Sequence, residues 1–215
     1  MAPKAFVSFS GGKDSHLSLW KARSVGFDVV ALLSMVREDG AYSASHRIPK
    51  DVLKRQSAAL GIPLTVCPTS WERYEENFSR CLMEFRERGI TFGVFGDIDL
   101  EEHREWVEGI CSRCGIVPFL PLWGKDHKEV ALEVIQEGFE AYVTVVRNDV
   151  VPVAFLGRRF DKALLEELIA LGIDPCGEKG EFHTLVVSGP SYRFPIPYTF
   201  GAVAFDGKCY YLEVS

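Results

Sequence analysis

Six adjacent residues, Ser10-Gly11-Gly12-Lys13-Asp14-Ser15, follow an apolar run at 5–9 and precede a helix-like stretch at 16–22. Strand, glycine turn and helix start, in that order, build an anion site largely from main chain. Gly11 and Gly12 let the chain turn sharply and approach a ligand closely. The amides that follow point out of the new helix, where the macrodipole favours phosphate. Lys13 adds a mobile positive charge, Ser10 and Ser15 add hydroxyls, and Asp14 offers oxygen to a magnesium ion carried by phosphates. The common nucleotide loop, G-x-x-x-x-G-K-[ST], is excluded because Asp14 stands where Ser or Thr should follow Gly-Lys.

A second chemical cluster lies near the end, Gly177-Glu178-Lys179-Gly180-Glu181-Phe182-His183-Thr184. Two carboxylates and a histidine between glycines read as an acid–base and binding loop. A polar turn before the apolar run at 185–187 is the plainer alternative. Asp97, in Gly96-Asp97-Ile98, is a magnesium ligand or substrate anchor, or else the N-cap of a helix opening at Leu100-Glu101. Cys111-Ser-Arg-Cys114 lacks the second pair or the histidines that a structural zinc site needs. It falls at the end of a helical pattern, where the dipole opposes a thiolate, and reads as buried small side chains.

The elements that must position these groups alternate between strand and helix through the first half, which predicts a parallel sheet with helical crossovers. Strands are expected at 28–36, 63–67 and 91–98. Helices are expected from Pro49 to Gly61, at 71–88 with Tyr74, Phe78, Leu82 and Phe85 on one stripe, and at 101–114. Residues 118–123, with two prolines, read as a hinge. Beyond them come a helix at 126–138, a strand at 141–146, a helix at 161–171, a strand at 185–187 and a hairpin turning at Asp206-Gly207. The expected organisation is an α/β nucleotide domain at 1–122 and a smaller α+β substrate domain at 123–215. Ligands in such a sheet gather beyond the carboxyl ends of the strands. That places Ser10 to Ser15, Ser34-Met35-Val36 beside an adenine, and Gly96-Asp97 in one cleft.

The chain has 215 residues, 47% of them hydrophobic and 25% charged, which describes an ordinary globular protein. The first strand begins at once and no apolar run approaches membrane-spanning length, so a cytoplasmic protein without membrane attachment is expected. In that compartment the six cysteines read as reduced thiols. The net charge of −6, without a basic run, argues against a nucleic-acid partner.

The ordered series SGGKDS, Ser45-His46 before a helix ending in Ala59-Leu60-Gly61-Ile62-Pro63-Leu64, residues 93–98, Arg104, Pro121-Leu122-Trp123, Gly138-Phe139-Glu140-Ala141, Leu156-Gly157-Arg158 and GEKGEFHT resembles the diphthine–ammonia ligase family. That family lies within the N-type ATP pyrophosphatases, and the likeness covers nearly the whole chain. It implies a Rossmann-like, HUP-type fold and an enzyme that uses ATP and Mg2+ to adenylate the carboxylate of diphthine on elongation factor two. Ammonia, arriving free or from a partner, then displaces AMP. By this resemblance Ser10, Gly11, Gly12, Lys13, Asp14 and Ser15 hold the phosphates, with Ser34, His46 and Gly96 also on the nucleotide. Lys13, Asp14, Glu181 and His183 carry the chemistry, and Asp97, Arg104, Glu178, Gly180, Glu181 and Thr184 meet the acceptor. Assembly into a homo-oligomer fits the same reading. Three alternatives stay open: an ATP pyrophosphatase of this kind acting on another carboxylate, a tRNA base thiolase using Cys111 and Cys114, and a nucleotide sensor without turnover.

Overall fold

The run Asp28–Arg37 is apolar on both faces, the pattern of a strand covered from both sides, and it forms the longest strand of a parallel sheet. The computed structural model describes residues 2–215. Five strands, β1 (Lys4–Ser8), β2 (Asp28–Arg37), β3 (Leu64–Thr69), β4 (Phe92–Val94) and β5 (Val117–Phe119), lie in the order β3-β2-β1-β4-β5, all parallel. Helices α1 (Lys13–Ser24), α2 (Lys50–Leu60), α3 (Tyr74–Glu87) and α4 (Glu101–Arg113) connect them. This is the expected Rossmann-like arrangement, and its strand order reverses between β1 and β4. Beyond the carboxyl ends of those two strands a cleft must open.

The second sheet is antiparallel, in the order β7-β6-β9-β8, from β6 (Glu140–Arg147), β7 (Phe182–Ser188), β8 (Phe200–Phe205) and β9 (Cys209–Val214). The β8–β9 hairpin turns at Asp206-Gly207 as expected, with Gly207 at φ +97°. Helices α5 (His127–Gln136) and α6 (Lys162–Ala170) accompany the sheet. The side chains of Asp126 and Asp161 cap them by accepting from the amides of Glu129 and Leu164.

Helix α1 lies between the two sheets and belongs to both cores. Its Leu17 packs with Val130, Val134 and Phe182, while Leu19 and Ala22 pack with Ala5, Val7, Leu185 and Val187. A third cluster fills the other face of the parallel sheet. There Phe78, Leu82 and Phe85 of the α3 stripe meet Phe6 and Phe95.

Of the buried polar groups on α1, Ser18 Oγ has no partner, whereas His16 is paired at both ring nitrogens. The His16 ring packs against Tyr192 at 5.5 Å between centroids, and burial lowers its pKa to about 4. Its Nδ1 lies 2.8 Å from the Gly12 carbonyl and its Nε2 lies 2.7 Å from the Tyr192 hydroxyl. A neutral imidazole must therefore carry its proton on Nδ1, and Nε2 accepts from the phenol. Tyr192→Phe removes that donor, and a loss of about 1–2 kcal/mol is expected in chemical denaturation.

Two departures have local causes. Pro118, read as the start of a hinge, sits inside β5 and pairs with Gly93; β5 is an edge strand, where proline's missing N–H costs no ladder bond. The strand expected at 91–98 ends at Val94, so that residues 95–97 leave the sheet to form a cleft wall. Among the described residues no helix is long and apolar enough to cross a membrane.

Candidate active site

The glycine loop between β1 and α1 is pinned by bonds to its main chain, most of them from side chains. Gly11 has φ +84°, a left-handed angle that favours glycine, and a Cβ there would strike Gln56 Oε1 at 2.7 Å. Gly12 has an ordinary extended backbone and needs to be glycine for room instead: a Cβ would meet His46 Nε2 at 2.7 Å and the Thr184 carbonyl at 3.1 Å. The Gln56 amide donates to the carbonyls of Gly11 (2.9 Å) and Val186 (2.7 Å), and the Val186 N–H donates to Gly11 as well. The Gly12 N–H donates to Ser10 Oγ and the Lys13 N–H to Thr184 Oγ1, each through about the same span of 3.1–3.2 Å. Two of the first amides of α1 are thus held by side chains rather than by solvent.

Lys13 is 2% exposed, and its ammonium donates to Asp14 Oδ2 at 2.8 Å and to the Cys176 carbonyl at 2.5 Å. The rings of Phe160 and Phe182 lie 5.6 and 5.3 Å from it. Burial pulls its pKa down, but the neighbouring Asp14 carboxylate, with Glu178 further off, more than offsets this and holds it above the ordinary lysine value. Lys13 is a fixed cation, not a mobile one.

Glu178 lines the same cleft, of about 500 Å³, and its Oε1 accepts from the Ile98 N–H at 2.8 Å. Burial first, then the charges of Asp14 and Asp97, push its carboxyl up to about 7. The turn that carries Glu178 is ordered by Asp174, which accepts from the amides of Cys176 and Glu178. His127 Nδ1 sits 2.7 Å from Asp174, and its Nε2 3.1 Å from Asp99. Burial opposes protonation of His127, yet the bond to Asp174 raises its pKa. His46 and His183 meet with ring centroids 4.3 Å apart on the cleft wall, both held neutral by burial and by the nearby positive charge of Lys13. For His183 the pKa falls to about 4.

The far end of the cleft is aromatic. Tyr74, Phe78, Phe95 and Trp106 line it, between the first turns of α3 and α4. Sequence patterning had assigned Tyr74 and Phe78 only to a core stripe. The helix periodicity is right, but at an N-terminal turn beside a switch point one edge of such a stripe faces ligand space.

The cleft brings together Ser10, Lys13, Asp14, Ser15, His46, Gly96, Asp97, Glu178, His183 and Thr184. Asp97 is not a helix cap: Leu100 holds that position, and Asp97 Oδ1 instead lies 3.2 Å from His103 Nδ1. Of the other expected residues, Gly11 and Gly12 shape the loop without lining the cleft, and four sit elsewhere. The Ser34 hydroxyl is buried outside the cleft lining, with its one proton donated to the Phe9 carbonyl. Arg104 lies on the outer face of α4, bonded to Glu108 at 2.7 Å and stacked near Trp123. Gly180 has φ +74° in the turn, with open space around it. Glu181 is 7% exposed and lies outside the cleft lining; its carbonyl accepts from the Arg147 N–H and its Oε2 is buried without a hydrogen-bond partner. Glu178, three residues earlier, is the carboxylate that reaches the cleft.

Cys111 and Cys114 close the far end of α4, beyond the His103–Trp106–Val107 edge that lines the cleft. Burial pushes the Cys111 thiol up to about 12, and Cys114 donates to the Ser79 carbonyl. Cys176 is the cysteine in the cleft, and its thiol donates to the His127 carbonyl. Burial raises its pKa well above the usual thiol value. No cysteine in the cleft is a thiolate at neutral pH, which removes the basis for a thiolation mechanism.

A parallel sheet with a pinned glycine loop at its switch point, a buried lysine on that loop and acidic groups in the same cleft fits a Rossmann-like protein of the pyrophosphate-loop kind. The chain belongs to the diphthamide synthase family: the diphthamide synthase N-terminal domain matches residues 3–118 and the C-terminal domain residues 126–212. It is 27% identical over 239 residues to a Schizosaccharomyces pombe protein named diphthine–ammonia ligase, covering 98% of this chain and 39% of that relative. Proteins of the same name from Danio rerio and Homo sapiens are 26% and 24% identical over 86% of this chain, which spans 82% and 78% of their lengths. The chain therefore spans well under half of the yeast relative and about four-fifths of the vertebrate ones.

Proposed function

We propose that this protein is an ATP-dependent amide ligase that adenylates the carboxylate of diphthine on elongation factor two and amidates it with ammonia. The observation that carries this reading is the pairing of a fixed buried ammonium, Lys13, with a carboxylate, Glu178, poised near neutrality in the same cleft. The unit at 1–122 supplies the glycine loop and the unit at 123–215 the Glu178 carboxylate that shares its cleft.

An acceptor carboxylate oxygen attacks the α-phosphorus of ATP, and the bond to the β-phosphate oxygen breaks to release pyrophosphate. Lys13 and the loop amides stabilise the charge that builds on the phosphates. The aromatic end between Tyr74 and Trp106 takes the adenine. Asp14 and Asp97 both reach the cleft and offer the hard oxygen donors that suit Mg2+, whose charge would further neutralise the phosphates. Ammonia then attacks the acyl carbon, the carbon–oxygen bond to AMP breaks, and the proton leaving nitrogen passes to Glu178. His46 and His183, kept neutral, wall the site without adding charge. No covalent enzyme intermediate is needed.

The test follows labelled ATP with magnesium and ammonium, with and without diphthine-bearing elongation factor two. AMP and pyrophosphate that form only when acceptor and ammonia are both present are the expected outcome. An ADP product, or tight ATP binding with no turnover under any condition, overturns the assignment.

A further inference from the structure

We infer that a surface trough leading out of the cleft holds the polypeptide on either side of the reacting acceptor residue; this rests on the amide-ligase reading and adds to it where the protein partner lies. Three cavities share their boundary residues in series. Trp71 and Tyr74 border both the 500 Å³ cleft and a second cavity of about 650 Å³. Arg37 and Arg47 border that second cavity and a third of about 410 Å³, which ends at Tyr42 and Tyr211 on the β8–β9 hairpin.

The trough is built by the segment after β2. Residues 42–49 fold back on the end of β2 through an antiparallel bridge from Val36 to Ser43 and close on themselves through a second from Tyr42 to Pro49. One side of this fold presents His46 to the cleft. The next residue, Arg47, has φ +53°, and it is the one non-glycine residue with a positive φ among the described residues. Such strain persists only where its surroundings hold it. Here Arg47 bonds to Asp206 at 2.5 Å and its guanidinium covers the Tyr211 ring at 4.2 Å. The catalytic wall and the hairpin are therefore joined by one strained residue, and the groove between them is fixed rather than floppy.

The chemistry of the trough selects its occupant. At the junction with the cleft Trp71 is 73% exposed and stacked on Tyr74 at 5.6 Å, and Tyr42 at the far end is 44% exposed. Exposed tryptophan and tyrosine beside a site are the residue types that anchor protein partners. Arg37 forms no ion pair among the described residues and is free to meet main-chain carbonyls or a carboxylate. Against these two guanidiniums stand Glu38, Asp39, Glu72, Asp206 and Glu213, so the trough repels a polyanion and nucleic acid is disfavoured. A polypeptide, apolar in patches and only locally charged, fits.

Arg37→Glu and Tyr42→Ala alter the trough without touching the cleft lining. The wild type and both variants are assayed for amidation of intact diphthine-bearing elongation factor two and of free diphthine, and for direct binding of the intact acceptor. The expected result is a rise of about ten-fold in KM and Kd for the intact acceptor in at least one variant. KM for ATP and the rate on free diphthine stay at wild-type values. Equal loss on both acceptors, or no change in Kd with either variant, overturns the trough. Binding of the trough to RNA, lost in Arg37→Glu, overturns it too. A wild type that binds the acceptor through these residues but forms no AMP would leave the trough standing and sink the ligase.

Discussion

Lys13→Met is expected to lower acceptor-dependent AMP formation by about 10²–10³-fold, the usual cost of removing one preorganised electrostatic group from a developing charge. Methionine keeps the unbranched apolar stem that packs near Phe160 and Phe182, so the loss falls on the ammonium. The loop itself is held by Thr184, Gln56 and Val186, none of which bonds the Lys13 side chain. Its shape therefore survives the substitution, and near-UV circular dichroism should match wild type. A fall in kcat at unchanged folding marks the expected role. A variant that keeps wild-type kcat would remove Lys13 from the transition state altogether.

The second large effect is Glu178→Gln, and it has two signatures that run in opposite directions. The glutamate must be ionised to accept a proton, so wild-type kcat rises as pH climbs through about 7. The glutamine variant loses about 10²–10⁴-fold at pH 8 and shows no inflection near neutrality. Stability moves the other way. A carboxyl whose pKa is higher folded than unfolded binds more protons in the folded state between the usual carboxylate range and about 7, so stability falls as pH rises across that window. Glu178→Gln abolishes that penalty. Urea denaturation should find the variant more stable than wild type at pH 8 and equal to it at pH 4. A variant less stable at both pH values would assign Glu178 a structural role through its bond to Ile98.

The architecture was legible because local signals agreed with one another. Glycine loop, buried strand and α3 stripe agreed with a parallel sheet with helical crossovers, while the strand order came from the structure. The site was legible where a motif fixed the main chain, as in the loop from Ser10 to Ser15. It was less so where a choice between neighbouring side chains depended on strand phase. Glu178 and Glu181 look equivalent in sequence. Only the start of β7, whose approach is set by the bond between Arg147 and the Glu181 carbonyl, turns the later one inward and leaves the earlier one free to reach Ile98. Arg104 failed for a similar reason: one step along a helix rotates a side chain about 100°, and its neighbours His103 and Trp106 hold the edge facing the cleft. The exposed aromatic pair Trp71–Tyr74 carried no motif at all and needed the third dimension to acquire a meaning.

The sharing of α1 between both sheets bears on how the molecule comes into being. During synthesis the first sheet and its glycine loop leave the ribosome long before Thr184 and Val186 exist to hold that loop. Until β7 arrives, the Lys13 amide lacks its acceptor, the Cys176 carbonyl is missing, and one side of Leu19 faces water. A nascent chain therefore has no finished place for a triphosphate. On the amide-ligase reading, the nucleotide site is complete only once the segment from Cys176 to Val186 has docked on the loop.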